Sequence, residues 1–265
     1  MKNRFLTLTL LMSLCALLGY STNARAAAIN NYISANLMRV AHNSLQNMYE
    51  SLNLDEYGLN RNAMQYAIRG YQNLINQGVV DNDQYLTIVD FSQPSQNKRF
   101  YVLDVANQEL VTHTYVLHGK NSGGEMAEKF SNTINSHQSS LGFYLTKYTY
   151  YGSRGYSLRL AGLEKGFNSN VEKRGVVVHG TKYANDERAE KGTIGRSQGC
   201  PAIPESEYEE VIQMIKDGSV MFIFAPSPNY LSKSPILSSS LSPYIDYNFT
   251  ENSMPFTTPL LTAGF

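Results

Sequence analysis

Two side chains in the last third of the chain have the types and the setting for covalent chemistry. His179 closes an apolar run, Val176-Val177-Val178, and Cys200 comes after a polar segment, directly behind Gly199. A thiolate can attack a carbonyl carbon while a nearby imidazole takes the thiol proton and lowers its pKa. The imidazole then needs an acceptor for its second ring nitrogen, to fix its tautomer. Backbone N–H groups beside the sulfur can hold the oxyanion that forms. Gly199 permits a tight turn before the cysteine, and Pro201 stiffens the chain just after it. The bland alternative is a hydrogen-bonded histidine at a strand end and an inert buried cysteine. A zinc site from His118, His137, His179 and Cys200 lacks any H-E-x-x-H or C-x-x-C spacing, so no metal is expected.

The N-terminus bears on the cysteine. Lys2 and Arg4 precede an apolar stretch, Phe5 to Leu18, and Ala24-Arg25-Ala26-Ala27 comes next. This reads as an export signal over residues 1–26. Its removal takes Cys15 and leaves Cys200 as the single cysteine, in a periplasmic, cell-envelope or extracellular protein. An exported cysteine without a partner is a candidate reactive thiol. The chain holds 22 Lys and Arg against 22 Asp and Glu, which argues against nucleic-acid binding. Past the signal, no apolar run is long enough to span a membrane. The residues imply no cofactor and leave the oligomeric state open.

The elements that position the pair can be read from periodicity. Residues 27–80 form an N-terminal helical segment. Ile33, Leu37, Val40, Ala41, Leu45, Met48 and Leu52 make one apolar face, and Met64, Ala67, Ile68, Tyr71, Leu74 and Ile75 another. Asn60 is placed to cap the second helix and Gly78 to end it. From residue 81 the texture is that of strands: "YLTIVDFS", "KRFYVLDV", "ELVTHTYVLHG", "LGFYLTKYTYYG", "YSLRLAGL", "GVVVHG" and "SVMFIFAP". One late helix carries Tyr208, Val211, Ile212 and Ile215 on a single face. The pattern predicts a mainly β, α+β catalytic domain over 81–226, built as a sandwich or open barrel. Residues 227–265 are Ser/Pro-rich and read as an extended tail.

The stretch from His179 to Cys200 resembles the L,D-transpeptidases of the YkuD type, whose signature is His-Gly, a spacer, then Ser-His-Gly-Cys. His179-Gly180, Ser197, Gly199 and Cys200 match it, and "LTIVDFSQPSQNKRFYVLD", "HGKNSGGE", "FSNTINSHQSSLGFY" and "GYSLRLAGLEKGFN" are similar to one large branch. The resemblance implies Cys200 as nucleophile, His179 as base, the Gly180 carbonyl as its orienting partner, and the Gly199 and Cys200 N–H groups as oxyanion donors. It implies peptidoglycan stem peptides as substrate. Ser139-Ser140-Leu141-Gly142 takes the place of a family strand beside the site. Ser140, Ser197, Gln198, His118 and His137 then stand as candidates to line it. Gln198 replaces the second histidine of the signature, and Pro201-Ala202 replaces an apolar residue followed by Arg or Asn. The substrate carboxylate therefore needs another partner, with Arg196, Arg159 and Lys120 as candidates. The acceptor decides between two activities. An amine gives L,D-transpeptidation and water gives L,D-carboxypeptidase trimming. A non-catalytic wall-binding protein is the remaining alternative.

Overall fold

In a computed structural model, the structure describes residues 45–239 apart from 46 and 193. The segment read as an export signal, the first apolar face before Leu45 and the tail from residue 240 lie outside the described residues. Ser44–Ser239 forms one compact unit.

Eight strands make one mixed sheet: β1 (Tyr85–Asp90), β2 (Phe100–Asp104), β3 (Glu109–Thr114), β4 (Gly142–Gly152), β5 (Gly155–Gly162), β6 (Val177–Thr181), β7 (Ala202–Pro204) and β8 (Val220–Phe224). Their spatial order is β3-β2-β1-β8-β4-β5-β6-β7. Pairing is antiparallel except at β1/β8 and β6/β7. The two edge strands, β3 and β7, are brought together by the chain just after β3. There Leu117 bridges Ala202 and Gly119 bridges Ser197, with Leu117 N–H donating to the Ala202 carbonyl at 2.9 Å. The sheet is thus nearly closed, an open barrel with its seam beside Cys200. β1, β2 and β8 are buried almost throughout, as strands covered on both faces must be.

Among the described residues, the helices with both ends defined are α1 (Arg61–Asn76), α2 (Asp186–Glu190), α3 (Tyr208–Ile215), α4 (Pro228–Lys233) and α5 (Pro235–Ser238); residues 45 and 47–51 are helical as well. Asn60 caps α1, its side chain accepting from the N–H groups of Asn62 and Ala63. Gly78 lies just past the end of α1 at φ +67°. The buried face of α1 carries Met64, Ala67, Ile68, Tyr71 and Leu74. It belongs to the same core as the sheet rather than to a separate module: Tyr66 stacks on Phe224, and Gly70 lies against the Phe143 ring.

Gly70 shows how close that approach is. A Cβ there would fall 1.9 Å from Phe143 Cζ, and Phe143 is itself buried and stacked on Phe222 at 4.2 Å. Alanine would gain up to about 1 kcal/mol of helix propensity. Forcing the extra carbon into the core costs about 1–3 kcal/mol or more. Overpacking wins, and Gly70→Ala is expected to lower Tm by about 2–8 °C. An unchanged or raised Tm in a thermal melt would mean that α1 does not seat on β4.

The sequence-based tail boundary is corrected. Residues 228–238 form α4 and α5, and Tyr230, Ile236 and Leu237 are core residues. β7 and α2 were also not expected. β7 is three residues long, and α2 falls in the polar segment between His179 and Cys200, which carries no apolar period.

Candidate active site

β6 carries the histidine. Val177, Val178 and His179 are buried, and the strand sits between β5 and β7. The Gly180 carbonyl lies 2.8 Å from His179 Nδ1. A carbonyl only accepts, so Nδ1 carries the proton and Nε2 keeps its lone pair. Gly180 is demanded by its neighbour: a Cβ would meet the Tyr208 ring at 2.8 Å.

The parallel register of β6 with β7 pairs His179 with Ala202, two residues past Cys200. The cysteine therefore enters β7 beside the start of β6. It is a free thiol and half-buried. Its Sγ lies 3.9 Å from the Gly175 carbonyl, and the Val177 N–H points at it.

The turn before Cys200 is built by Ser197 and Gly199. Ser197 Oγ accepts from the Gly199 N–H at 3.0 Å and donates to the Cys200 carbonyl at 2.7 Å. Gly199 adopts φ +117°, and a Cβ there would meet the Gln138 carbonyl at 2.8 Å and Arg174 Nη2 at 3.1 Å. Both conformation and space require glycine.

Arg174, which lies outside the His–Cys motif, ties this turn to the loop at 131–140. Nη1 donates to the Ser131 carbonyl at 2.7 Å and to Ser140 Oγ. Nη2 donates to Ser136 Oγ at 3.2 Å and to the Gln138 carbonyl at 2.5 Å. In the sequence it is one of two adjacent cations before the histidine strand, and nothing there separates it from Lys173.

Electrostatics sets the resting protonation. Burial pushes the Cys200 thiol up, against the Val177 N–H and the charges of Arg154 and Arg174. Burial pushes His179 down, against its Gly180 contact, and Arg154 lowers it further. Both shifts favour a neutral thiol beside a neutral imidazole. The expectation that the histidine lowers the resting thiol pKa is not what these groups produce. His179 is suited to accept the proton as the bond forms, rather than to hold a thiolate in advance.

Several candidate lining residues have other work. His118 is fully buried, with Nδ1 2.7 Å from Arg99 Nη2 and Nε2 3.3 Å from the Gly123 carbonyl. Burial and the charges of Arg99 and Arg196 push its pKa down to about 4. Ser140 is buried and spends its hydroxyl on the Ser131 carbonyl and Arg174. Ser197 shapes the turn instead of facing substrate. Arg196 Nη1 donates to the Ile194 and Gly195 carbonyls, Nη2 to the Gly124 carbonyl, and Nε to that of Gly123. It has no fork left for a carboxylate. Arg159 stacks on Tyr150 at 4.4 Å. The Gly199 N–H is committed to Ser197, which removes it as an oxyanion donor in this arrangement. Gln198 is exposed on the turn that leads to Cys200, and His137 is half-buried on the loop that Arg174 holds, at φ +53°. The features that demoted these residues are tertiary contacts, which no motif carries.

A model of the L,D-transpeptidase catalytic domain, of the YkuD type, matches residues 55–224. No curated protein matches the chain. Among solved structures, an L,D-transpeptidase from Mycobacterium smegmatis is 13% identical, with a TM-score of 0.34, and the match covers 54% of this chain and 59% of that one. An L,D-transpeptidase from Stackebrandtia nassauensis is 14% identical, with a TM-score of 0.33, covering 63% of this chain and 68% of that one. The helical cell shape determining protein of Campylobacter jejuni is 13% identical, with a TM-score of 0.35, covering 58% and 55%. The chain thus spans less than two thirds of the length of the mycobacterial protein. The family match extends over well more than half of the chain and includes His179 and Cys200: the chain belongs to the L,D-transpeptidase catalytic-domain family.

Proposed function

We propose that the protein is an exported cysteine acyltransferase that forms crosslinks between peptidoglycan stem peptides through a thioester on Cys200. The observation that carries this reading is the His179 Nδ1 contact with the Gly180 carbonyl, which leaves Nε2 as a base on the strand paired with β7. Family membership supports the substrate class, and the basic-then-apolar N-terminus supports export.

Each step uses these groups. Cys200 Sγ attacks the carbonyl carbon of the donor's third residue while His179 Nε2 takes the thiol proton. The Cys200 N–H is the backbone donor left for the oxyanion. Collapse breaks the peptide bond, and the imidazolium returns its proton to the departing amine of the terminal D-residue. A second amine then attacks the thioester, His179 takes its proton, and the thiol is regenerated with a new amide. Water in place of that amine gives the trimmed stem instead.

The test is incubation of the purified protein with stem tetrapeptide and an amine acceptor, followed by mass analysis of products and of the protein. Crosslinked product with a transient acyl mass on Cys200 is expected. Trimmed tripeptide alone would replace crosslinking by carboxypeptidase activity. Absence of both product and adduct would leave a wall-binding protein.

A further inference from the structure

The donor in the reaction above is an anionic peptide, and the two arginines that brace the loops around the thiol turn are already committed. Arg174 and Arg196 each donate four hydrogen bonds to protein oxygens. Arg154 is different. It is exposed, and among the described residues no hydrogen bond, ion pair or ring contact engages it.

Its position is fixed by its neighbours. Gly152 pairs with Gly155 at the end of the β4–β5 hairpin, leaving Ser153 and Arg154 as a two-residue turn. Gly155 sits at φ +77°, and its Cβ position is 3.5 Å from Tyr208 Oη. The Tyr208 ring lies against Gly180, the residue after His179. Two residues beyond Gly155, Ser157 pairs directly with His179. A two-residue hairpin turn fixes the backbone from which Arg154 is presented. Register and contacts thus set the hairpin tip beyond the strand residues that pair with His179, and the Arg154 charge is felt at both His179 and Cys200.

We propose that Arg154 is the specificity-determining cation of this site, pairing with a carboxylate of the peptide donor. The assignment rests on the acyl-transfer reading above. It also supplies the contact left open by Pro201-Ala202, from a hairpin turn remote in sequence. An unpartnered guanidinium can take a carboxylate through two parallel N–H···O bonds, and nothing in the fold must move to free it.

The experiment uses the full-length protein, Arg154→Gln, Arg154→Lys and, as the competing carboxylate partner, Lys120→Gln, which removes an exposed cation next to the Ser197 turn. Relative kcat/KM is measured on a tetrapeptide with a free C-terminal carboxylate and on its C-terminal amide. Wild type is expected to prefer the acid by about tenfold or more. Arg154→Gln should bring that ratio close to one, Arg154→Lys should retain part of it, and Lys120→Gln should keep it. In parallel, Cys200 is alkylated with iodoacetate and with iodoacetamide, which share a leaving group and differ in charge. The iodoacetate-to-iodoacetamide ratio should fall several-fold in Arg154→Gln. Unchanged ratios in both assays, or a loss confined to Lys120→Gln, overturn the proposal. If wild type turns over neither peptide, the acyl-transfer reading and the donor role fail together. The alkylation ratio then still reports whether a free cation faces the thiol.

Discussion

Cys200→Ala is expected to abolish turnover of stem peptides while leaving the thermal melt almost unchanged. Removing a covalent nucleophile costs on the order of 10⁴-fold or more in rate. The structural cost is small for a local reason. The sulfur is half-buried, its one hydrogen-bond acceptor among the described residues is the Gly175 carbonyl at 3.9 Å, and the turn is held by Ser197 and Gly199 rather than by the thiol. Parallel melts and product analysis separate the two effects, and retained turnover in the alanine variant would sink the mechanism.

The same thiol has a pH signature. Burial pushes Cys200 up and His179 down, so at neutral pH the sulfur is protonated. Alkylation by iodoacetamide should therefore keep climbing, close to tenfold per pH unit, beyond the free-thiol value of about 8.5. A plateau already reached near pH 7 would mean a preformed thiolate–imidazolium pair, and the base would not be acting at the moment of attack.

How much the sequence disclosed depends on what each signal averages over. Strands of five or more residues were legible because alternating or continuous apolar residues fill them, as in "YLTIVD" and "VMFIF". β7 was not, because three residues containing a proline carry no period; pairing with β6 in the folded sheet makes Ala202–Pro204 a strand. His179 and Cys200 were legible because their residue types are rare and their flanking glycines are needed at short range. Arg174 and Arg196 look alike in the sequence, yet each is consumed by carbonyls on segments far away. Arg154 resembles any hairpin-tip charge until the β5–β6 register puts its strand beside His179. Side-chain role here depends on which oxygens lie within reach, and that is a property of the closed sheet.

The second large effect concerns the C-terminal segment. A chain ending at Pro226 is expected to lose cooperative folding. The composition "PSPNYLSKSPILSSS" lacks helical periodicity, but each short helix opens with serine followed by proline, Ser227-Pro228 and Ser234-Pro235. That is a helix-start signal, and Ser234 Oγ accepts from the Leu237 N–H at 3.1 Å. The two helices bury Tyr230, Ile236 and Leu237. Each such side chain removed from a core costs about 2–5 kcal/mol, against a total stability of about 5–15 kcal/mol. The truncation also strips polar partners. Glu164 is fully buried and accepts from the Phe143 N–H at 2.7 Å, from Tyr230 Oη at 2.9 Å and from Ser234 Oγ. Two of these three donors would vanish, leaving a buried carboxyl group under-satisfied, which adds a further penalty. Asn73 on α1 would lose the Ile236 carbonyl, to which its amide donates at 2.7 Å. Circular dichroism and a thermal melt of the truncated chain check the outcome, with full-length Ile236→Ala as a graded companion that should lower stability by about 2–5 kcal/mol without unfolding it. A truncated chain that melts like the full-length protein would mean that α4 and α5 contribute nothing to the core. The sequence-based boundary at residue 226 would then be right.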